Sequence, residues 1–179
     1  MKQTINVFDY AGDICKAMKK GILLTTKVGD KVNTMTIGWG TLGIEWGKNI
    51  FIAFVRESRY TKDLLEENPE FTINIPYGQV DSKILSLCGT QSGRDIDKIV
   101  EAGLTLEESE VISVPGIKEL PLTLECKVLY RKKQDLSILP QSVLDRYYPR
   151  DPSCPYAGFD RDYHYAYYAE IVNAYLITE

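Results

Sequence analysis

The chain has little histidine and cysteine, no long hydrophobic run and no excess of basic residues. Its single histidine, His164, and its four cysteines stand far apart, without the C-x-x-C pairs or His/Cys clusters that zinc sites and disulfide frameworks need. We therefore expect no bound metal, and reduced thiols as in a cytoplasmic protein. No apolar segment approaches the ~20 residues of a membrane-spanning helix, and the first residues show no secretory signal pattern.

The charge balance argues against an anionic macromolecular partner. The 179 residues include 21 Lys and Arg against 25 Asp and Glu, which gives a net charge of −4. Nucleic acids and anionic membranes favour basic proteins, so we expect neither as a partner. Hydrophobic content of 44% and charged content of 26% are typical of a globular protein. The length predicts a single domain over residues 1–179.

The residue pattern predicts a mainly β domain with inserted helices. The predicted strands are Ile22–Val28, Asn33–Trp39, Leu42–Trp46, Asn49–Val55, Phe71–Ile75, Val111–Val114, Leu122–Tyr130 and His164–Ile177. The predicted helices are Asp13–Lys20 before Gly21, a helix capped by Thr61 that ends at Asn68, Asp81–Leu87, Asp95–Gly103 and Gln141–Tyr148. Closely spaced strands with short turns predict an antiparallel meander, closed into a barrel with helices at its ends.

A turn between two of these strands carries the clearest chemical signal. Arg56, Ser58, Arg59 and Thr61 stand together at the start of a short helix. Guanidinium groups, hydroxyls and the free N–H groups of a helix start are what a phosphate monoester requires. The same residues are also compatible with an ordinary capped helix that carries two solvated arginines.

Five motifs occur in a fixed order along the chain. They are ILLTTKVGDKVNTMTIGWG, FVRESRYT with its helix, FTINIP, SGRDIDK and HYAYYAEIV, and they span about Gly21 to Leu176. In this order they resemble the flavin reductase-like family of FMN-binding split barrels, which also contains flavoredoxins. The resemblance implies an antiparallel split β-barrel that binds FMN, as a homodimer with the flavin near the interface. The nearly uncharged strand Tyr165 to Ile177 agrees with a subunit contact.

The resemblance also assigns contact residues. Those for the isoalloxazine ring are Asn33, Met35, Thr36 and Ile37, with Trp39 nearby. Those for the phosphate are Arg56, Ser58, Arg59 and Thr61, while Tyr60 packs either on the ligand or in the core. A flavin requires a flat apolar slot with a few hydrogen-bond donors, which this strand and turn can supply. Without the resemblance, an ordinary strand whose threonines face solvent is the preferred interpretation.

Two further segments extend the predicted site. Ser92, Gly93 and Arg94 lie in a loop that approaches the flavin in the family; by itself this loop is compatible with a plain connection before an Asp-capped helix. His164 matches a family histidine that stands five positions before a glycine, although here Ala169 replaces that glycine. We interpret His164 either as a gate to the flavin face, the one catalytic candidate, or as a structural residue.

Three functions remain open from the sequence. The first is an NAD(P)H-dependent flavin reductase, in which a transient nicotinamide passes hydride to flavin N5. The second is a flavoredoxin-like electron carrier that holds FMN tightly and exchanges electrons with a redox protein partner. The third is a cofactor-free barrel that serves as a binding module. No glycine fingerprint of a dinucleotide-binding fold is present, so a nicotinamide would bind shallowly over the flavin.

Overall fold

A computed structural model describes residues 1–153 and 160–178, so that Cys154 lies outside the described residues. The strands are β1 (Lys2–Thr4), β2 (Ile22–Val28), β3 (Lys31–Ile37), β4 (Gly40–Glu45), β5 (Lys48–Arg56), β6 (Glu70–Ile75), β7 (Leu106–Glu107), β8 (Gly116–Ile117), β9 (Leu122–Lys133) and β10 (His164–Ile177). The α-helices are α1 (Ala11–Met18), α2 (Tyr60–Glu67), α3 (Ser82–Thr90), α4 (Lys98–Glu101) and α5 (Gln141–Tyr147). None of the helices in these two ranges is long and apolar enough to cross a membrane.

One antiparallel sheet dominates the fold and closes on itself. Its order is β3-β2-β6-β9-β10-β5-β4, with β1 paired to the end of β10. Seven flat strands would separate β3 from β4 by about 29 Å. Only Gly38 and Trp39 join the two strands, however, and three Cα steps span at most about 11 Å. The sheet must therefore curl into a barrel, which leaves between β3 and β4 a seam without strand pairing in the described residues.

The interior strand β2, which lies between β3 and β6, is buried on both faces. Ile22 and Leu24 point into the barrel core, whereas Leu23 packs on the outside against Ile84 and Cys88 of α3. This double burial explains why the run ILLTT lacks the polar alternation of a half-exposed strand. The same helix α3 also packs against β3 and so supports one side of the seam.

Two buried polar side chains attach the segment 104–120 to the sheet. The Glu125 carboxylate in β9 accepts hydrogen bonds from the three backbone N–H groups at positions 110–112, at 2.8–3.2 Å. Asn74 in β6 accepts from the N–H of Ile117 at 2.9 Å. Because a buried polar group without partners costs stability, these contacts fix where the irregular segment lies.

Much of the predicted secondary structure is confirmed. Ile22–Val28 and His164–Ile177 have the predicted bounds, and the domain is mainly β with inserted helices. Asp81 caps α3 by accepting from the N–H of Lys83 at 2.9 Å. Gly21, with φ of +117°, lies three residues after α1, and its N–H donates to the carbonyl of Ala17 at 3.0 Å, as expected for a residue that ends a helix.

Four local predictions were wrong. Thr61 does not cap α2, since Arg59 holds that position and no described side chain caps the helix. The helix expected from Asp95 begins after Asp97, which caps it. Val111–Val114 is irregular, because the buried carboxylate of β9 takes N–H groups that a strand would use. The meander is interrupted at the seam, where consecutive strands do not pair in the described sheet.

We expect Glu125→Gln to lower the free energy of unfolding by about 2–3 kcal/mol. An amide would present N–H donors to backbone donors, so that charge-assisted hydrogen bonds are lost and buried groups stay unpaired. Urea unfolding followed by circular dichroism measures the change. Glu45→Gln, at an exposed position of β4, is the matched control and should change stability by less than about 0.5 kcal/mol. Equal losses in both variants would contradict the role of the buried carboxylate.

Candidate functional site

The candidate site lies on the β3 side of the seam, where two adjoining cavities open. The polar cavity, about 200 Å³, is lined by Asn33, Met35, Thr36, Ser58, Arg59, Tyr60, Thr61, Cys88, Gly89, Gln91, Ser92, Gly93, Arg94 and Lys98. The aromatic cavity, about 140 Å³, is lined by Met35, Thr36, Ile37, Gly38, Trp39, Phe54, Arg56, Arg59 and His164. Met35, Thr36 and Arg59 border both, so the two cavities form one continuous site.

The structure brings all the predicted contact residues to this site. The aromatic cavity alone is bordered by Ile37, Trp39, Arg56 and His164. The polar cavity alone is bordered by Asn33, Ser58, Tyr60, Thr61 and the loop 92–94, and the remaining three predicted residues border both cavities. Residues from five separate stretches of sequence therefore meet there, because the curled sheet places the ends of β3, β5 and β10 next to the start of α2. Their side chains differ, however, in how many hydrogen bonds they already make within the protein, and so in how readily they could bind a ligand.

Two of the turn residues are tied to the segment that precedes β10. Arg56 donates from Nη1 to the carbonyl of Asp162 at 2.7 Å and from Nη2 to the carbonyl of Tyr147 at 3.0 Å. Ser58 donates from its backbone N–H and from Oγ to the Asp162 carboxylate, at 3.0 and 2.6 Å. Arg56 and Ser58 thus already have protein partners and build the wall of the site.

The polar cavity derives its positive charge from Arg59 and Lys98. The Arg59 side chain has neither a hydrogen bond nor an ion pair within the described residues, and it borders both cavities. Lys98 is only 5% exposed, and its Nζ donates to the carbonyl of Cys88 at 2.8 Å. Burial lowers the pKa of Lys98, and the neighbouring Arg59 acts in the same direction. A bound anion would relieve this crowding of positive charge.

The loop 92–94 approaches β3 so closely that only glycine fits. A Cβ atom on Gly93 would lie 1.9 Å from Oδ1 of Asn33. The same Asn33 donates from Nδ2 to Oγ1 of Thr61 at 3.1 Å, so β3, α2 and the loop meet at one side chain. Arg94 fastens the loop to α2 by donating to the Asp63 carboxylate at 2.6 Å.

Tyr60 lies at the wall of the polar cavity. It is half-buried and is not part of the barrel core, which was the alternative location. Its ring lies 5.3 Å from the Arg94 guanidinium carbon and 4.7 Å from Nζ of Lys31. Ser92 accepts a hydrogen bond from the Arg94 N–H at 3.2 Å, which shapes the turn beside this ring. The arrangement leaves Tyr60 beside the space that a ligand would occupy.

His164 is buried at the aromatic cavity. Its ring lies 4.9 Å from the Trp39 ring, and Nδ1 is 2.8 Å from the Tyr148 hydroxyl. Burial lowers the pKa of His164 to about 3, and Arg56 and Arg59 act in the same direction. The imidazole is therefore neutral at physiological pH and does not serve as a cation for a phosphate.

Sequence reasoning missed Lys98, Asp162 and Tyr148 as parts of the site. Lys98 is the last residue of the motif SGRDIDK, which is one of the five motifs that carry the resemblance. It was not among the predicted contact residues. Asp162 is 104 positions from Ser58, and Tyr148 is 16 positions from His164. Local sequence patterns report neighbours within a few helical turns, so neither contact had a signal.

Comparison with solved structures identifies the fold. A flavoredoxin from Methanosarcina acetivorans is 26% identical, with a TM-score of 0.63 over 88% of this chain and 68% of that chain. An FMN-binding domain of a flavin reductases-like enzyme from Shewanella baltica is 16% identical, with a TM-score of 0.62 over 98% of this chain and 77% of that chain. The predicted antiparallel split β-barrel is confirmed by this likeness.

Sequence comparison gives the family. An uncharacterized protein of Archaeoglobus fulgidus is 34% identical over 100 residues, which cover 56% of this chain and 55% of that protein. The chain thus spans just over half the length of this curated relative. The model of the family described as "Flavin reductase like domain" matches residues 17–176, a range that includes both sides of the seam. The chain therefore belongs to the flavin reductase-like domain family.

Proposed function

We propose that this protein binds FMN along the seam, with the phosphate in the polar cavity and the isoalloxazine ring in the aromatic cavity. The observation that carries the proposal is the pair of cations, Lys98 in the polar cavity and Arg59 where the two cavities adjoin, in a site whose other end is aromatic. A phosphate monoester requires charge-assisted donors, and a flavin ring requires a flat apolar slot. We infer FMN rather than FAD, because these cations form one compact cluster.

The residues present fit this cofactor. Arg59, Lys98 and the start of α2 would hold the phosphate, since the Arg59 side chain has no hydrogen bond within the described residues, the Lys98 side chain donates only to the Cys88 carbonyl there, and no described side chain caps α2. The end of β3, at residues 35–37, would border the ring together with Trp39. Arg56 and Ser58 would act indirectly, by holding Tyr147 and Asp162 against the site.

We further propose that the protein is an NAD(P)H-dependent flavin reductase. When bound, FMN supplies the atom N5 that accepts hydride and so carries the redox chemistry. The protein contributes binding and orientation, and the neutral His164 supplies no proton at physiological pH. Trp39 and His164 would flank the position of the nicotinamide. Free flavin, iron, oxygen or a redox protein would then take the electrons.

A flavoredoxin-like electron carrier is the second candidate. The similarity to the Methanosarcina acetivorans flavoredoxin favours it. In this function FMN stays bound and electrons pass to and from another protein. Reduction by nicotinamide nucleotides therefore distinguishes the two candidates.

We also propose a homodimer that covers an aromatic patch beside the site. The aromatic patch comprises Trp46, Tyr130, Tyr168, Ile52 and Phe54. Trp46 and Tyr130 are 56% and 45% exposed, and the ring of Tyr168 lies 6.4 and 5.3 Å from theirs. Ile52 pairs with Tyr168 across the strands, and Phe54 lines the aromatic cavity, so the patch is continuous with the site. Exposed apolar surface of this kind favours a partner.

We expect Arg59→Ala to weaken FMN binding by about 1.5–3 kcal/mol, because one charge-assisted phosphate contact is lost. Titration of FMN into each protein, followed by quenching of flavin fluorescence, measures the affinity. Arg131→Ala is the control, since Arg131 pairs with Glu66 at 2.6 Å and lines neither cavity. Equal affinities of Arg59→Ala and wild type would overturn the phosphate assignment.

We expect NADH or NADPH to reduce the FMN-loaded protein directly. Anaerobic stopped-flow measurement of the flavin absorbance follows the reduction. If His164 gates the nicotinamide, His164→Ala should lose reduction rate and keep its FMN affinity. If His164 is structural, the variant should lose stability, and its rate should fall only with occupancy. Failure of both nucleotides to reduce fully loaded wild type would favour the electron carrier.

We expect the protein to have twice the mass of one chain in solution at micromolar concentration. Tyr168→Glu should shift it to the monomer, because a carboxylate would be buried in the aromatic patch. Multi-angle light scattering measures both masses. Tyr77→Glu is the control, because Tyr77 is a 43% exposed tyrosine outside the patch. A monomeric wild type would refute the proposed interface.

A further inference from the structure

A chain of three side chains leads to the aromatic cavity. The Tyr148 hydroxyl lies 2.6 Å from Oε1 of Gln134 and 2.8 Å from Nδ1 of His164. A phenol has one proton, and an amide oxygen only accepts. Tyr148 therefore donates to Gln134, and its oxygen accepts from His164, which places the imidazole proton on Nδ1.

We propose that Gln134 and Tyr148 are positioning residues that hold His164 as the neutral Nδ1–H tautomer, so that its Nε2 lone pair is offered to the ligand. Nε2 then recognises an N–H or O–H donor and disfavours a carbonyl or carboxylate at that point. The tautomer is inferred from the hydrogen bonds of the protein alone, whereas the identity of the ligand rests on the proposed function.

The surroundings of His164 support this assignment. Nδ1 is occupied by Tyr148, and the residues that the structure describes provide no partner for Nε2, while the side chain lines the aromatic cavity. The positive charges of Arg56 and Arg59, which line the same cavity, disfavour a second proton on the ring. The backbone N–H of Gln134 also donates to the carbonyl of His164 at 2.9 Å, which fixes the two residues relative to each other.

The single histidine makes the tautomer directly measurable. In tag-free, ¹⁵N-labelled protein, long-range ¹H–¹⁵N correlation spectra report on His164 alone. We expect a protonated, pyrrole-type Nδ1 and a pyridine-type Nε2 at pH 7 without ligand. Gln134→Leu should move the proton to Nε2, because the Tyr148 proton then turns to Nδ1. Gln134→Glu keeps an acceptor and should retain the wild-type tautomer. Gln3→Leu, at an exposed position on β1, is the matched control.

Each outcome either supports or overturns the positioning role of Gln134 and Tyr148. A wild type with the proton on Nε2, or a folded Gln134→Leu variant with an unchanged tautomer, would overturn the positioning role. Well-dispersed amide spectra establish that a variant is folded, and Tyr148→Phe, which should also release the tautomer, replaces Gln134→Leu if that variant does not fold. Addition of FMN should shift the Nε2 resonance upfield by hydrogen bonding. Binding without this shift would overturn the donor recognition, whereas absence of FMN binding would overturn the proposed function and leave the ligand-free spectra as the test of the tautomer.

Discussion

The site depends on one geometric constraint, the two-residue connection between strands at opposite ends of the sheet. Because Gly38 and Trp39 must cross from β3 to β4, the sheet has to curl until its two edges approach each other. This closure places the ends of β3, β5 and β10 around one space, together with the start of α2. The cavities follow from chain connectivity, and the side chains then determine what they bind.

The three arginines near the seam have different roles, two in holding the structure and one in binding. Arg56 and Arg94 are engaged by carbonyl and carboxylate groups of the protein, and so they hold Tyr147, Asp162 and the loop 92–94 in place. Arg59 alone among them has no such partner within the described residues. Its charge therefore remains available, and it acts with Lys98 on whatever enters the polar cavity. Residues of the same type around one site thus have different roles.

Sequence reasoning recovered most strands of the main sheet and named residues that line the two cavities, but it did not recover the hydrogen bonds among them. The bounds of Ile22–Val28 and His164–Ile177 follow from long β-prone runs, and the site residues follow from ordered motifs. Thr61 looked like a helix cap because of its type. Its hydroxyl oxygen instead accepts a hydrogen bond from Asn33 of β3. Likewise Asp162 has no local signal, since its partner is distant in sequence. Tertiary contacts decided both cases.

The unpaired edge of β3 has a consequence for how such a protein can change over evolution. On its seam side, β3 has no neighbouring strand among the described residues, whereas its other edge pairs with β2 along its whole length. Met35 and Ile37 line the aromatic cavity and also belong to the barrel core. Selection for a new ligand and selection for a stable barrel therefore act partly on the same residues, so that a change of ligand at these positions also changes the packing of the core.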